Sequence, residues 1–134
     1  MSFWLLKSDP ETYSYNALER DKRTVWDGVS NSLALKHIRG MSKGDLAFVY
    51  HSGDEKAIIG IAEIVSAPYP DPKQKDPKLV VVEIKAKDRL ATTVSLAAIK
   101  ERKDFADFLL VRMSRLSVMP VSASQWKALL AMSH

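Results

Sequence analysis

Two apolar runs separated by a short polar loop set the strongest limit on how this chain folds. Leu46 to Tyr50 and Ala57 to Val65 are rich in β-branched and aromatic residues, and the loop His51 to Glu55 between them contains Gly53. Runs joined by a short glycine-containing loop read as a β-hairpin. A hairpin is antiparallel, so a purely parallel, doubly wound sheet is excluded. Gly60 interrupts the second run, which marks a bulge or the close approach of another group.

Helices are inserted around this hairpin. Phe3 to Leu6 is a short strand, stopped by Lys7-Ser8-Asp9-Pro10. Ser14 caps a helix over Tyr15 to Arg20. A second helix starts at Ser30 or its neighbour and ends at Gly40, with Asn31, Ala34, Leu35 and Ile38 on one face. Leu79 to Ala86 reads as a strand with Val80, Val82 and Ile84 together. Ser95 caps a helix over Leu96 to Arg102, and Leu109 to Val118 reads as a further strand. Ser122 with Gln125 three residues on forms a capping box ahead of a last helix carrying Trp126, Leu129, Leu130 and Met132. Ala67 to Pro77 is expected to be an irregular surface loop, because proline lacks the donor that a ladder needs. These elements add up to one α+β domain over residues 1–134, a mixed barrel of roughly five strands with peripheral helices.

Composition removes several classes of function. The 134 residues contain no cysteine, which excludes disulfide scaffolds, thiolate metal sites and cysteine nucleophiles. No apolar run approaches the length of a membrane span, and the amino terminus does not read as a signal peptide, so a soluble, cytoplasmic protein is expected. A net charge of +4 and a pI of about 9.3 lean toward a polyanionic partner. The densest cations, Lys100, Arg102 and Lys103, sit where a helix carboxyl end favours positive charge.

Catalytic patterns are thin. His51-Ser52-Gly53-Asp54 holds the ingredients of a hydrolytic triad, but triads draw on separate parts of a chain, and neighbours on an extended segment point to opposite sides. His37, His51 and His134 lack metal-ligand spacing. Neither a P-loop nor a dinucleotide-binding glycine motif is present. Asp71 and Asp76, in the proline-rich segment, read as solvated surface. No enzyme activity, metal or cofactor is expected.

Binding chemistry is better represented. Trp26-Asp27-Gly28-Val29-Ser30-Asn31 sets an aromatic face, a turn and a side-chain amide within six residues. An aromatic ring can stack on a nucleobase and an amide can read its edge. The same residues also fit ordinary core packing and a satisfied buried amide. Lys7-Ser8 and Tyr50-His51-Ser52 add polar groups at two strand ends. Arg115 and Ser117 alternate onto the face of Val111 and Met113, as a strand leaving the core or the wall of a polar pocket would place them.

Taken in order, these motifs resemble the EVE domain family. They are Phe3 to Pro10, Trp26 to Asn31, Gly44-Asp45 with Phe48 to Ser52, Ile59 to Ile64, Tyr69-Pro70-Asp71 and Arg115 to Val121. The resemblance spans nearly the whole chain. It implies a PUA-like fold, a strongly curved mixed β-barrel of about five to six strands with helices around it. It also implies a non-catalytic pocket for a modified nucleobase in DNA or RNA, with 5-substituted cytosine the leading ligand. Carried over by motif, the pocket draws on Lys7, Ser8, Trp26, Asn31, Tyr50, His51, Ser52, Arg115, Leu116 and Ser117. In that set Trp26 is a stacking wall, Asn31 and Ser117 meet the base edge, and Lys7 and Arg115 meet phosphate or a carbonyl. The chain departs from the family pattern at Ser30, where arginine is usual, and at Asp9, where glutamate is usual. The alternative from a different class is a module sensing a free nucleotide or heterocycle.

Overall fold

A computed structural model describes residues 1–134. Seven strands and five α-helices make up the chain, with four strands in succession at its centre. The strands are β1 (Phe3–Ser8), β2 (Arg23–Trp26), β3 (Leu46–His51), β4 (Ala57–Ile64), β5 (Tyr69–Pro70), β6 (Val80–Ser95) and β7 (Val118–Val121). The helices are α1 (Tyr15–Asp21), α2 (Ser32–Arg39), α3 (Leu96–Lys100), α4 (Leu109–Arg112) and α5 (Ala123–Met132). The sheet runs β2-β6-β4-β3-β1-β7, with β5 paired to β6.

The expected hairpin is β3–β4, and it continues into β6 as an antiparallel meander. The β1–β3 pair is parallel, with α1, β2 and α2 lying between the two in sequence. Register breaks at Val49/Tyr50, Ile58/Gly60 and Ile61/Ala62 mark irregularities in the ladders, as bulges do. The 16-residue β6 pairs with β2, β4 and β5 along its length. The result is an open, mixed α+β sheet with β2 and β7 at its edges, its ladder irregularities giving the curvature that the family resemblance implies.

Local signals explain the helices. Ser14, Ser95 and Ser122 each accept a backbone N–H from the first turn of α1, α3 and α5. Ser122 and Gln125 complete a reciprocal capping box. Trp126 of α5 stacks on Phe48 at 3.9 Å between centroids and on Phe3 at 4.5 Å, which fixes α5 against β1 and β3. A continuous core of 35 buried side chains runs from Leu5 and Leu6 through Phe48 and Ile58 to Leu129.

Four expectations are corrected. Residues 109–118 are not one strand. Leu109–Arg112 forms α4, residues 113–117 are irregular, and only Val118 starts β7. Leu110 and Leu116 both reach the core from this broken path, which no single period serves. The proline-rich segment is not wholly irregular, since Tyr69 and Pro70 pair with Val81 and Val80. Asp71 is buried rather than solvated, with its carboxylate accepting the Lys73 N–H at 2.9 Å. Asn31 does not lie on the apolar face of α2. It is the N-cap, with extended backbone, so helical spacing does not apply to it.

Candidate functional site

The parallel pairing of β1 with β3 sets their carboxyl ends side by side, with Lys7 opposite Tyr50 and Ser8 opposite His51. The Lys7 N–H donates to the Ser117 carbonyl at 2.9 Å, which draws the irregular segment 113–117 to the same edge. The Lys7 ammonium donates to the Ser114 carbonyl at 2.7 Å and sits 5.6 Å from the centroid of the buried Tyr50 ring. Burial lowers the pKa of Lys7 from its ordinary value and raises that of the Tyr50 phenol.

Beside this edge opens a cavity of about 370 Å³, lined by Asn31, Leu33, Arg112, Met113, Ser114, Arg115 and Leu116. That volume lies within the roughly 300–1,000 Å³ range of ligand clefts. The Asn31 side-chain oxygen accepts the Leu33 and Ala34 N–H groups, both at 3.0 Å. The cap consumes the acceptor and leaves the amide N–H pair as donors. Arg115 is exposed and makes no ion pair, unlike Arg112, which reaches Asp107 at 3.4 Å.

Three other sequence-derived residues are held inward. Nε2 of the buried His51 accepts the Tyr15 N–H at 2.9 Å, and Nδ1 meets Glu55 at 2.8 Å. These partners require the neutral tautomer with its proton on Nδ1. The Ser8 hydroxyl donates to the Tyr13 carbonyl. The Ser52 N–H donates to the Ser8 carbonyl at 2.9 Å, and its hydroxyl meets the same oxygen at 3.4 Å. Together they brace the strand ends.

Trp26 and Asn31 do not line the same depression. Gly28, at φ +76°, turns the chain between them. Trp26 and Asp27 line a depression of about 330 Å³ with Tyr13, Thr24, Val25 and Lys73. Gly28, Val29 and Ser30 line a smaller one of about 220 Å³ with Asp71, Gln74 and Leu79. Trp26 is 8% exposed and meets Tyr13 edge-on, with centroids 6.4 Å apart at 76°. Sequence reasoning missed Ser114, Tyr13 and Lys73. Ser114 acts through its carbonyl, and Lys73 arrives from a segment remote in sequence, so neither left a motif.

The EVE domain model matches residues 2–132. The chain belongs to the EVE domain family. Among EVE-domain relatives, thymocyte nuclear protein 1 of Homo sapiens is 27% identical over 167 aligned residues, covering 99% of this chain and 74% of the relative. The solved structure of Rpa0253 from Rhodopseudomonas palustris is 43% identical with a TM-score of 0.94, covering 99% of this chain and 93% of that one. The structure of human THYN1 in complex with 5-methylcytosine-containing DNA is 27% identical with a TM-score of 0.92, covering 100% and 98%.

Proposed function

We propose that this EVE domain is a non-catalytic reader of a modified nucleobase in nucleic acid, with 5-substituted cytosine as the ligand. The observation that carries the reading is the set of free donors around one partly apolar cavity. Asn31 offers an amide N–H pair and Arg115 an unpaired guanidinium, and Lys7 lies beside them. Cytosine presents acceptors at O2 and N3, which suit such a donor set. Leu33, Met113 and Leu116 supply apolar wall for the ring and its substituent. The relative solved with 5-methylcytosine-containing DNA supports the same ligand class.

Each sequence-derived residue has a part in this reading. Asn31 meets the base edge, Arg115 and Lys7 meet its carbonyl or a phosphate, and Ser117, which is not among the cavity-lining residues, holds the Lys7 backbone through its carbonyl. Leu116 packs on the ring. Tyr50, Ser8, His51 and Ser52 position Lys7 and the strand ends. Trp26 forms the wall of the adjoining depression. His51 is turned inward to Tyr15 and Glu55, which supports a binding role rather than proton transfer.

Taking a base out of a duplex costs a few kcal/mol, so phosphate contacts must contribute and binding should weaken steeply with salt. Fluorescence anisotropy on matched DNA and RNA oligonucleotides, with cytosine or 5-methylcytosine at one position, tests the reading. Tighter binding of the modified strand is expected. Equal affinity for both strands removes base reading, and a flat salt response favours a free heterocycle as the ligand.

A further inference from the structure

We infer that a second nucleotide subsite lies on the other side of the Trp26–Asn31 segment, in the depression formed by Tyr13, Trp26, Asp27 and Lys73. It takes the base and phosphate of a nucleotide next to the one read in the Asn31–Arg115 cavity. The inference rests on the reading above and adds a footprint of more than one nucleotide.

Four observations carry it. Tyr13 is the accessible ring of the pair, half-buried against the buried Trp26 that it meets at 76°, so a planar base entering the depression stacks on Tyr13 with Trp26 as its backing. Tyr13 is pinned for this role. Its hydroxyl donates to Asp21 at 2.9 Å, and its carbonyl accepts the Ser8 hydroxyl. Lys73 projects into the same depression, is exposed and makes no ion pair, so its ammonium is free for a phosphate. Asp27, also exposed there, supplies the opposite chemistry: its carboxylate can accept from an exocyclic amine of adenine, cytosine or guanine.

Distance and continuity join the two subsites. Asp27 and Asn31 are four residues apart, which limits the connecting backbone to about 14 Å. Gly28, Val29 and Ser30 line the small depression between them, so the six residues border three successive hollows. A single strand crossing the segment is long enough to fill both ends within two or three nucleotides. A free mononucleotide fills only one.

The test compares a single-stranded hexamer carrying one 5-methylcytosine, the same hexamer unmethylated, and 5-methyldeoxycytidine monophosphate, on the parent and on Lys73→Gln and Tyr13→Leu. The parent should bind the hexamer at least tenfold more tightly than the mononucleotide. Lys73→Gln should reduce the salt slope of hexamer binding by about 0.7, the value for one single-strand phosphate. Tyr13→Leu should weaken hexamer binding at least about fivefold, the lower bound for one stacked base. Mononucleotide binding should be unchanged in both. Lys73 is an exposed residue, so Lys73→Gln keeps the test valid even if Tyr13→Leu fails to fold. The subsite is overturned if the hexamer binds no more tightly than the mononucleotide, or if Lys73→Gln leaves hexamer affinity and salt slope at parental values. Failure of base reading has a different signature, the loss of preference for the methylated hexamer with the length effect intact. A parent that binds neither probe overturns both.

Discussion

The phenol ring of Tyr15 occupies the space that any side chain at position 60 would need. A Cβ on Gly60 would lie 2.7 Å from Cε1 and 2.8 Å from Cε2 of Tyr15, and nearer still to Cζ. The Tyr15 hydroxyl donates to the Ile61 carbonyl at 2.7 Å, and its N–H donates to His51. The start of α1 is thereby clamped onto the β3–β4 hairpin, below the ends that carry Tyr50 and Ser52.

Gly60→Ala should therefore destabilise the fold by about 1–3 kcal/mol, the range for overpacking a filled core. Urea denaturation measures it. Parental stability in Gly60→Ala would show that Tyr15 moves aside freely.

The same contact shapes the alkaline limit. Burial pushes the Tyr15 phenol up to about 12, with Glu19 adding to the shift. An unfolded tyrosine loses its proton near 10 and the folded one near 12. Between these values ionisation favours the unfolded chain, so stability should fall as pH rises above about 10. Urea midpoints at pH 8, 10 and 11 should decline in that order. Tyr15→Phe should decline less.

Asp45 sets the acid side. Burial works against its charge, but the Trp4 indole N–H at 3.0 Å and the Ser2 and Ser42 N–H groups hold its pKa below the usual carboxylate value. A depressed pKa contributes stability above the unfolded value and loses it as pH falls through the folded one. Stability should drop below about pH 4. Asp45→Asn should cost about 2–3 kcal/mol at neutral pH, because charged hydrogen bonds are lost in a buried place. A parental melting temperature would contradict this account.

Asn31 separates stability from recognition. Asn31→Asp keeps an oxygen for the Leu33 and Ala34 N–H groups and removes the amide donors that face the cavity. Thermal stability should stay within about 0.5 kcal/mol of the parent, whereas Asn31→Ala should lose about 1 kcal/mol with its cap. Oligonucleotide affinity should fall at least tenfold in both. Parental affinity in Asn31→Asp would remove Asn31 from the base edge.

Glu55 gives a further check on His51. Removing the imidazole leaves the buried Tyr15 N–H without its acceptor, so His51→Ala should cost about 1–3 kcal/mol. Glu55→Gln preserves an acceptor for Nδ1–H on an exposed side chain and should cost well under 1 kcal/mol. Equal losses from the two substitutions would refute this division of roles, which chemical denaturation can read directly.

Much of this arrangement was legible along the chain. The hairpin, the serine caps and the apolar face of α2 are local, since each depends on residues within a few positions of one another. Gly60 announced a close approach, and family motifs pointed to the strand ends. What lay beyond the sequence was long-range. Whether residues 109–118 form a strand or a broken helix depends on how Leu110 and Leu116 both reach the core. Whether Asn31 is buried depends on its role as a cap. The parallel register of β1 on β3 sets Lys7 against Tyr50 and brings Ser114 to its ammonium. The turn at Gly28 divides Trp26 from Asn31, and Lys73 joins Trp26 from 47 positions away. The sequence by itself determined which chemical groups this protein possesses and which elements carry them, because periodicity and capping are local. Only the tertiary structure decided which groups share a cavity and which are consumed in bracing it, because pairing between distant strands sets those distances.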